Sequence, residues 1–321
     1  MKAPRSAVAL LLALGAWLPA ATAQVYPTQP IKLVVPFARE GSADIIGRAI
    51  AERMSGPLGQ SVTVQNQPGG GGTVASLAVS KAAPDGYTLL VATNSTLVIS
   101  PILQQTTAYD PLSSFAPVSL LSLMPSLIVV NPNFPAGSLQ ELINLIRSSP
   151  GRYRFAHGGV GSLSHLNGEL IKSQLGLDLK DIAFRGPGAA AQAVANGEAD
   201  MMFDVFVFFV HPDRASQWRP IAAMDSVRIP RLPRVPSAAE AGYPALTSYS
   251  WTGIVAPAGT PEPIIEVLNG AIRAALDQLE TQATFAKLGL EPAGSRPEQF
   301  QQVIVNELTK WQRALPLPAA R

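Results

Sequence analysis

Apolar positions along the chain follow two spacings, which predict buried strands and amphipathic helices. A continuous apolar run at residues 33–35 ends at Pro36 and predicts a short strand covered on both faces. From residue 45 the apolar positions follow a helical period, so a helix is predicted to begin near Ser42, with Ser42 as its N-cap. The chain therefore opens with a strand that leads through a short loop into a helix.

The same order of strand, loop and helix continues along most of the chain. Capping signals at Ser138, Thr260 and Ser295 mark three further helix starts. Further strands are predicted at residues 61–64, 87–92, 152–156, 181–184, 200–203 and 251–256, and further helices at 74–82, 138–147, 164–175, 188–196, 260–279 and 295–314. Strands that alternate with helices predict an α/β fold with parallel sheets flanked by helices.

Two segments of the chain share one arrangement that suits an anionic ligand. Residues 35–45 and 155–166 each read as a strand, a glycine-containing loop and a helix N-terminus. A helix N-terminus presents free backbone N–H groups and the positive end of the helix dipole. An ordinary strand-to-helix turn is the alternative for each loop. If the two loops face each other, two helix starts converge on one cleft.

Length and pattern together predict two α/β domains, since about 300 residues exceed what one simple core usually holds. The apolar passages near residues 117–130 and 247–257 are predicted to cross between the domains. Neither has the Gly/Ser content of a flexible tether, so hinge motion is expected. The predicted domains are 24–125 together with 247–321, and 126–246, with the C-terminal helices returning to the first domain.

The N-terminus has the pattern of a secretory signal peptide. Lys2 and Arg5 precede an apolar run at residues 7–20, and a small-x-small cleavage pattern ends at Ala23. A membrane anchor is the alternative, but the run is shorter than the ~20 apolar residues of a spanning helix and contains Pro19. Residues 1–23 are therefore predicted to be removed on export, which places the protein in the periplasm.

Charge and cysteine content narrow the function classes. The chain has 24 Lys+Arg and 22 Asp+Glu, and both basic residues of the excess lie in the predicted signal peptide. The balanced remainder argues against nucleic acid or an anionic membrane as partner. The chain has no cysteine, which excludes disulfides, thiolate metal sites and thiol catalysis, and an exported protein without disulfides suits a bacterial periplasm.

Three other chemistries are considered and not predicted. The stretch Gly70-x-Gly72-x-x-Ala75 fits a dinucleotide fingerprint but has no acidic residue about twenty positions later, so no cofactor is expected. Ser162 and Ser164 lie outside any Gly-x-Ser-x-Gly elbow and are read as helix-cap residues. The three histidines, at 157, 165 and 211, form no spaced ligand pair, so no metal site is expected.

A series of short motifs carries a family resemblance over essentially the whole mature chain. In order they are Tyr26-Pro27-x-x-Pro30-Ile31, Val34-Val35-Pro36-Phe37, Asn66-x-Pro68-Gly69-x-Gly71-Gly72, Ala83-Pro84-Asp85-Gly86-Tyr87-Thr88-Leu89, Gly161-Ser162-x-x-His165-Leu166, Gly168-Glu169-Leu170, Met202-Phe203-Asp204, Ala239-Glu240-Ala241-Gly242 and Ala256-Pro257-x-Gly259-Thr260-Pro261. Together they resemble the Bug family, the extracytoplasmic solute receptors of tripartite tricarboxylate transporters.

The resemblance implies both a fold and a role. The implied fold is a two-domain periplasmic binding protein of the type II-like, Venus-flytrap kind, in which helices flank a central, mostly parallel sheet in each domain. The implied role is a monomeric, non-enzymatic receptor that binds a small carboxylate between its domains and delivers it to inner-membrane permease subunits. An input to a sensor system, or a secreted hydrolase acting on a small acid, are the alternatives.

The resemblance also places the ligand site. The family binds one ligand carboxylate between the loop after the first strand and the second glycine-containing loop, largely through backbone N–H groups and bridging waters, and keeps an acidic residue near the cleft. Carried over by position, the site residues are Phe37, Ala38, Arg39, Glu40, Gly41, Ser42 and Asp44 in the first loop, His157, Gly159, Gly161, Ser162 and His165 in the second, and Asp204.

Departures from the family pattern leave alternatives open. Arg39 could pair a second ligand carboxylate or neutralise Glu40, and Glu40 could repel a dianion or hold a ligand amine. His157 stands where the family favours a small polar residue. Asp204 could contact the ligand or cap a loop.

Aromatic residues replace a smaller, more polar family segment just after Asp204. Phe203, Phe206, Phe208 and Phe209 lie around it. Packing in the core is one interpretation of these rings. In the other, the alternation of an extended segment turns Phe206 and Phe208 toward the cleft, where stacking would favour an aromatic carboxylate over citrate.

Overall fold

The computed structural model describes residues 26–39, 41–104, 108–205, 209 and 215–314. The predicted signal peptide, Glu40, Phe206 and Phe208 lie outside the described residues. Strands are β1 Ile31–Val35, β2 Val62–Asn66, β3 Thr88–Thr93, β4 Phe115–Val130, β5 Arg154–His157, β6 Lys180–Ala183, β7 Met201–Val205, β8 Arg219–Met224, β9 Tyr249–Pro257 and β10 Glu291–Pro292. Helices are α1 Ser42–Leu58, α2 Thr73–Ser80, α3 Ser100–Gln104, α4 Leu139–Ser148, α5 Leu163–Leu175, α6 Pro187–Asn196, α7 Glu262–Leu276, α8 Leu279–Lys287 and α9 Pro297–Ala314.

One central sheet joins these strands in the order β2-β1-β3-β9-β4-β7-β5-β6, with β8 and β10 also paired to β4. Strands β2, β1 and β3 are parallel to one another, and so are β6, β5 and β7. Strands β4 and β9 run antiparallel to their neighbours. The α/β prediction with flanking helices is confirmed, and the sheet as a whole is mixed because these two strands lie at its centre.

The predicted crossover passages are this central pair of strands. Strand β4 is 16 residues long and pairs with β9 from Phe115 to Pro125, then with β7 and β8 from Ser126 to Val130. Register shifts near Pro117 and Leu120 let the strand bend between its partners. A long apolar passage with both faces covered is therefore strand rather than linker.

The C-terminal helices pack back on the first part of the chain. Helix α7 packs on α1 and β4, and α9 packs on β4. The buried amide of Asn269, on α7, donates to the Val118 carbonyl at 2.7 Å and to the Ser295 carbonyl at 2.8 Å. One side chain thus ties α7 to the central strand and to the residues that lead into α9.

Several predicted boundaries are corrected by local hydrogen bonding. Gly41, rather than Ser42, is the N-cap of α1, with extended backbone and no side-chain cap. The single helix predicted at 260–279 ends at Leu276, and α8 starts anew at Leu279. Ser295 does not cap α9, because its Oγ accepts from the Leu120 N–H at 3.0 Å. The Ser138 cap is confirmed, since its Oγ accepts from the Glu141 N–H at 3.2 Å.

The glycine-rich stretch before α2 is a close-packing device. Gly70–Gly72 form a 3₁₀ turn with positive φ, and a Cβ on Gly72 would lie 2.5 Å from the Thr96 methyl group and 3.2 Å from Pro36. Glycine is required here because the turn presses against neighbouring residues. Among the described residues, no helix is long and apolar enough to cross a membrane.

Replacing Gly253 by alanine tests how tightly α9 is docked. A Cβ at Gly253, on β9, would lie 2.3 Å from the ring of Phe300, on α9, so Gly253→Ala is expected to lower the free energy of unfolding by about 1–3 kcal/mol. Gly270→Ala is the matched control, because nothing lies within 4 Å of that site on α7 and alanine there should be neutral or stabilising. Equal urea midpoints for the two variants would contradict this packing.

Candidate functional site

The starts of α1 and α5 share one cavity of about 330 Å³, here called the central cavity. Strand β1 leads through the first loop into α1, and β5 leads through the second loop into α5. The residues that these two loops and helix starts contribute to the lining are Phe37, Gly41, Ser42, Ala43, Gly161, Ser162 and Leu163. The cavity therefore lies where two helix dipoles present their positive ends.

Backbone donors at both helix starts are available to a ligand. The N–H groups of Ser42 and Ala43, in the first turn of α1, have no acceptor among the described residues, and neither has the N–H of Leu163, the first residue of α5. One side-chain cap is present: Ser162 Oγ accepts from the His165 N–H at 3.3 Å. Two sets of unpaired N–H groups around one small cavity suit a carboxylate.

A third wall of the cavity consists of residues that the sequence motifs did not indicate. It comes from the end of β3 and the π-helical turn after it, and from β9; its residues are Thr93, Asn94, Ser95, Ile99, Ser250, Trp251 and Thr252. Asn94 joins the two parts, since its Oδ1 accepts from the Trp251 N–H at 2.7 Å and its Nδ2 donates to the Tyr249 carbonyl at 3.1 Å. Residues 93–96 are a polar run directly after a parallel strand. That run could have indicated this wall from the sequence, because ligands bind outside the carboxyl ends of such strands.

Charge is absent from the described lining, and one of the lining residues has a buried polar atom without a partner among the described residues. None of the lining residues that the structure describes is Asp, Glu, Lys, Arg or His. Trp251 is 1 % exposed, and its indole N–H has no acceptor in the described part of the chain. An unmet buried donor of this kind costs roughly 1–3 kcal/mol.

Some of the site residues predicted in the first loop line the central cavity, and others lie outside its lining. Phe37, Gly41 and Ser42 line the central cavity, whereas Ala38 and Arg39 are exposed and lie outside the lining. Glu40 is outside the described residues.

Asp44 faces the protein rather than the cavity. It is 2 % exposed and pairs with Arg48 at 3.0 Å and with the Asn66 amide at 2.8 Å. Asn66 Nδ2 also donates to the Phe37 carbonyl at 3.0 Å. These side chains therefore hold the first loop in place.

The second loop is held by two histidines that the sequence did not connect. His157 Nδ1 accepts from the Gly159 N–H at 3.2 Å, and His165 Nδ1 accepts from the Gly161 N–H at 3.4 Å. The N–H groups of these two glycines are therefore engaged by imidazole rings, and Ser162 N–H donates to the Gly159 carbonyl at 3.1 Å. The N–H of Leu163 remains as a donor on this side of the cavity.

Those histidines also form a cluster with Asp181, although they are no spaced ligand pair in the sequence. One potential ligand atom of each lies within 4.8 Å of the others, and His157 Nε2 is 3.2 Å from Asp181 Oδ2. A neutral imidazole whose Nδ1 accepts a hydrogen bond carries its hydrogen on Nε2. If a metal were bound at Nε2, the hydrogen would have to lie on Nδ1 instead, where it would face a glycine N–H. The arrangement therefore favours hydrogen bonding over metal coordination. Burial, then the nearby His157, lowers the pKa of His165.

Asp204 lies behind the second loop, outside the cavity lining. It is 4 % exposed, and its Oδ1 accepts from the Val205 N–H at 2.7 Å. Burial raises the pKa of the Asp204 carboxyl to about 6, although a hydrogen bond from the Ser164 side chain acts to lower it. Ser164 Oγ also accepts from the Gly158 N–H at 3.1 Å and lies 3.2 Å from Ser162 Oγ. A chain of hydrogen bonds thus connects Asp204 to the N-cap of α5.

The described phenylalanines around Asp204 belong to the core. Phe203 is fully buried with its ring 5.6 Å from that of Phe155, and Phe209 is 2 % exposed against Trp218. Phe206 and Phe208, the rings on which the aromatic-ligand interpretation depends, lie outside the described residues. Phe37 and Trp251 are the aromatic residues in the described lining.

Comparison with known proteins places this architecture in one family. Residues 46–316 match the model of the tripartite tricarboxylate transporter family receptor. The chain is 34 % identical over 291 residues to the protein BugT of Bordetella pertussis, which covers 90 % of this chain and 89 % of BugT.

Solved structures agree over nearly the whole chain. MatC from Rhodopseudomonas palustris with bound malate is 36 % identical, with a TM-score of 0.70 over 90 % of this chain and 99 % of MatC. An R. palustris protein with adipate is 31 % identical, with a TM-score of 0.72 over 90 % of this chain and 97 % of that one. The chain belongs to the receptor family of the tripartite tricarboxylate transporters.

Proposed function

We propose that the protein is a periplasmic receptor that binds the carboxylate of a small organic acid between the starts of α1 and α5 and delivers the acid to inner-membrane permease subunits. The convergence of the two helix starts on the central cavity carries this proposal. Malate and adipate in the related structures supply the class of ligand. The N-terminal pattern of residues 1–23 supports export.

The arrangement around Ser162 favours binding over hydrolysis. Ser162 Oγ donates to the Gly159 carbonyl at 2.7 Å, while the neighbouring His165 uses Nδ1 to accept from Gly161. A serine nucleophile needs a base that takes its proton, and the described contacts give Ser162 a carbonyl acceptor instead. A receptor is expected to bind candidate acids without forming product.

The pairing of the central strands supports a closing motion between two domains. We infer domains of residues 24–125 with 247–321, and 126–246, in a monomer that closes over its ligand. In support, β4 changes its pairing partners at Ser126, and α7 packs on α1. Paired strands at such a boundary allow bending while they keep the two helix starts in register.

Proline at the first residue of each helix tests the backbone donors. Ser42→Pro and Leu163→Pro each remove one N–H from the cavity, while the first helical position tolerates proline and the preceding residues Gly41 and Ser162 are already extended. Loss of a hydrogen bond to a charged group should weaken binding of malate or adipate about 10- to 100-fold in calorimetry.

The matched controls separate the donor from the side chain and from the proline itself. Ser42→Ala and Leu163→Ala keep the N–H and should bind within a few-fold of wild type. Leu279→Pro places proline at the first residue of α8, where the side chain is exposed and the preceding backbone is extended. It should leave affinity unchanged. Wild-type affinity in both cavity prolines would contradict the proposed site.

Asp204→Asn tests the buried carboxyl behind α5. The pKa of Asp204 is raised to about 6, above about 3.9 in unfolded chains, so the folded state binds the proton more tightly. Its contribution to stability is complete below pH 4 and is lost as pH rises through 6. Asp204→Asn has no carboxyl at this position and therefore does not lose this stability as pH rises. The wild-type unfolding free energy should therefore fall relative to the variant between pH 4 and 7, by on the order of 3 kcal/mol.

Urea unfolding at four pH values measures this difference. Asp178→Asn, at an exposed position, controls for the change in net charge, and its profile should run parallel to that of the wild type. Parallel profiles for Asp204→Asn as well would show that the carboxyl titrates alike in folded and unfolded chains.

A further inference from the structure

Asp204 is a buried carboxyl without a described cation. It is 4 % exposed, and no Lys, Arg or His among the described residues pairs with it. Its described hydrogen-bond partners are the Val205 N–H, at 2.7 Å, and the Ser164 side chain. A buried carboxylate that has no cation beside it is costly, and uptake of a proton removes that cost.

Hydroxyl groups link this carboxyl to the central cavity. Ser164 is hydrogen-bonded to Asp204, and its Oγ lies 3.2 Å from Ser162 Oγ. Ser162 is the N-cap of α5 and lines the cavity. A ligand carboxylate at the start of α5 adds a negative charge to the end of the helix behind which Asp204 lies. A second negative charge nearby favours the neutral form of a carboxyl group.

The directions of the hydroxyl hydrogens depend on the charge of Asp204. A serine hydroxyl donates one hydrogen bond and accepts up to two. The Ser162 hydroxyl donates to the Gly159 carbonyl at 2.7 Å, so it has no hydrogen left for Ser164. If Asp204 is ionised, Ser164 donates to it, and the contact between the two serine oxygens contains no hydrogen. If Asp204 is protonated, it donates to Ser164, and Ser164 donates to Ser162.

Both serines then use their full hydrogen-bonding capacity. Ser164 Oγ accepts from the Gly158 N–H at 3.1 Å and from protonated Asp204. Ser162 Oγ accepts from the His165 N–H at 3.3 Å and from Ser164. The protonated form of Asp204 is therefore the form that satisfies every contact of this network.

We propose that binding of the ligand carboxylate is coupled to uptake of one proton by Asp204, and that protonated Asp204 is a positioning residue that aligns the hydroxyls at the start of α5. The inference rests on the proposed function, since it takes the carboxylate as bound at the starts of α1 and α5. Burial already raises the pKa of Asp204 to about 6, and a bound carboxylate raises this pKa further. Affinity is therefore highest at pH 6 and below, and it falls as pH rises above 6.

Other groups that carry charge lie on the elements packed against β7, which are β4, β5, α5 and α6. Strand β4 and helix α6 contain none. The others contribute Arg154 and His157 from β5, and His165, Glu169 and Lys172 from α5. His165 is the rival source of a pH effect, because it titrates next to the same N-cap. Burial, then the nearby His157, lowers the pKa of His165, so this ring is uncharged over most of the range from pH 6 to 8.

Calorimetry with malate and with adipate between pH 6 and 8 measures the coupling. Wild-type affinity should fall about 5- to 50-fold over this range, and by no more than about tenfold per pH unit, because one proton is exchanged. Asp204→Asn keeps a neutral group that can donate to Ser164 and accept from the Val205 N–H. This variant should bind at pH 8 about as tightly as the wild type does at pH 6, with little dependence on pH. Asp178→Asn, at an exposed position, is the matched control and should keep the wild-type slope.

Proton uptake can also be counted without a substitution. Calorimetry in phosphate and in Tris, two buffers that differ in ionisation enthalpy, should show uptake of about 0.4–0.9 proton per bound ligand at pH 7 in the wild type. Asp204→Asn should take up none. His165→Asn should keep the proton uptake and the pH slope of the wild type. Loss of both in His165→Asn, with both retained in Asp204→Asn, would assign the proton to His165 and overturn the role of Asp204.

The remaining outcomes separate the coupling from the proposed function. Wild-type affinity that stays constant from pH 6 to 8, without proton uptake, would overturn the coupling and leave the carboxylate receptor intact. Equal pH slopes in the wild type and Asp204→Asn would also overturn it. Failure of malate and adipate to bind at any of these pH values would contradict the proposed function and, with it, the coupling.

Discussion

The buried amide of Asn94 holds together the elements that form the third wall of the central cavity. It accepts from the Trp251 N–H, donates to the Tyr249 carbonyl and donates to Glu307 Oε2 at 3.3 Å. The end of β3, strand β9 and helix α9 therefore keep one relative position. Glu307 is paired with Lys310, so the carboxylate beneath this wall has its own counterion.

Dipoles and hydroxyls, rather than charged side chains, shape the described surface of the cavity. Asp44 lies in the first turn of α1, but it is paired with Arg48 and Asn66. Asp204 lies behind α5 and is connected to the N-cap through Ser164. Both carboxyls thus hold loops in place, while the N–H groups of Ser42, Ala43 and Leu163 have no acceptor among the described residues. A site of this kind binds an anion with donors that need little rearrangement.

The described lining of the central cavity comes from different parts of the chain. The two strand-loop-helix units contribute one part of it, and the end of β3, the π-helical turn and β9 contribute the other.

Local signals in the sequence determined much of the fold and one half of the candidate site. The apolar period identified β1, α1 and α5, the capping box identified α4, and the glycine loops indicated both helix starts. Local signals also misled in places. The cap predicted before α9 does not form, because Ser295 Oγ accepts a hydrogen bond from the N–H of Leu120, which is 175 residues away in sequence.

What only the tertiary structure decided depends on partners that are remote in sequence. Asn94 meets Trp251 across 157 residues and Glu307 across 213, and His157 meets Asp181 from a neighbouring strand. No spacing rule predicts such pairs, because they depend on which strands the sheet sets side by side and on which side chains burial then forces to satisfy one another. The sequence by itself indicated two helix starts that suit an anion; the pairing of β3 with β9 decided which other residues line the same cavity.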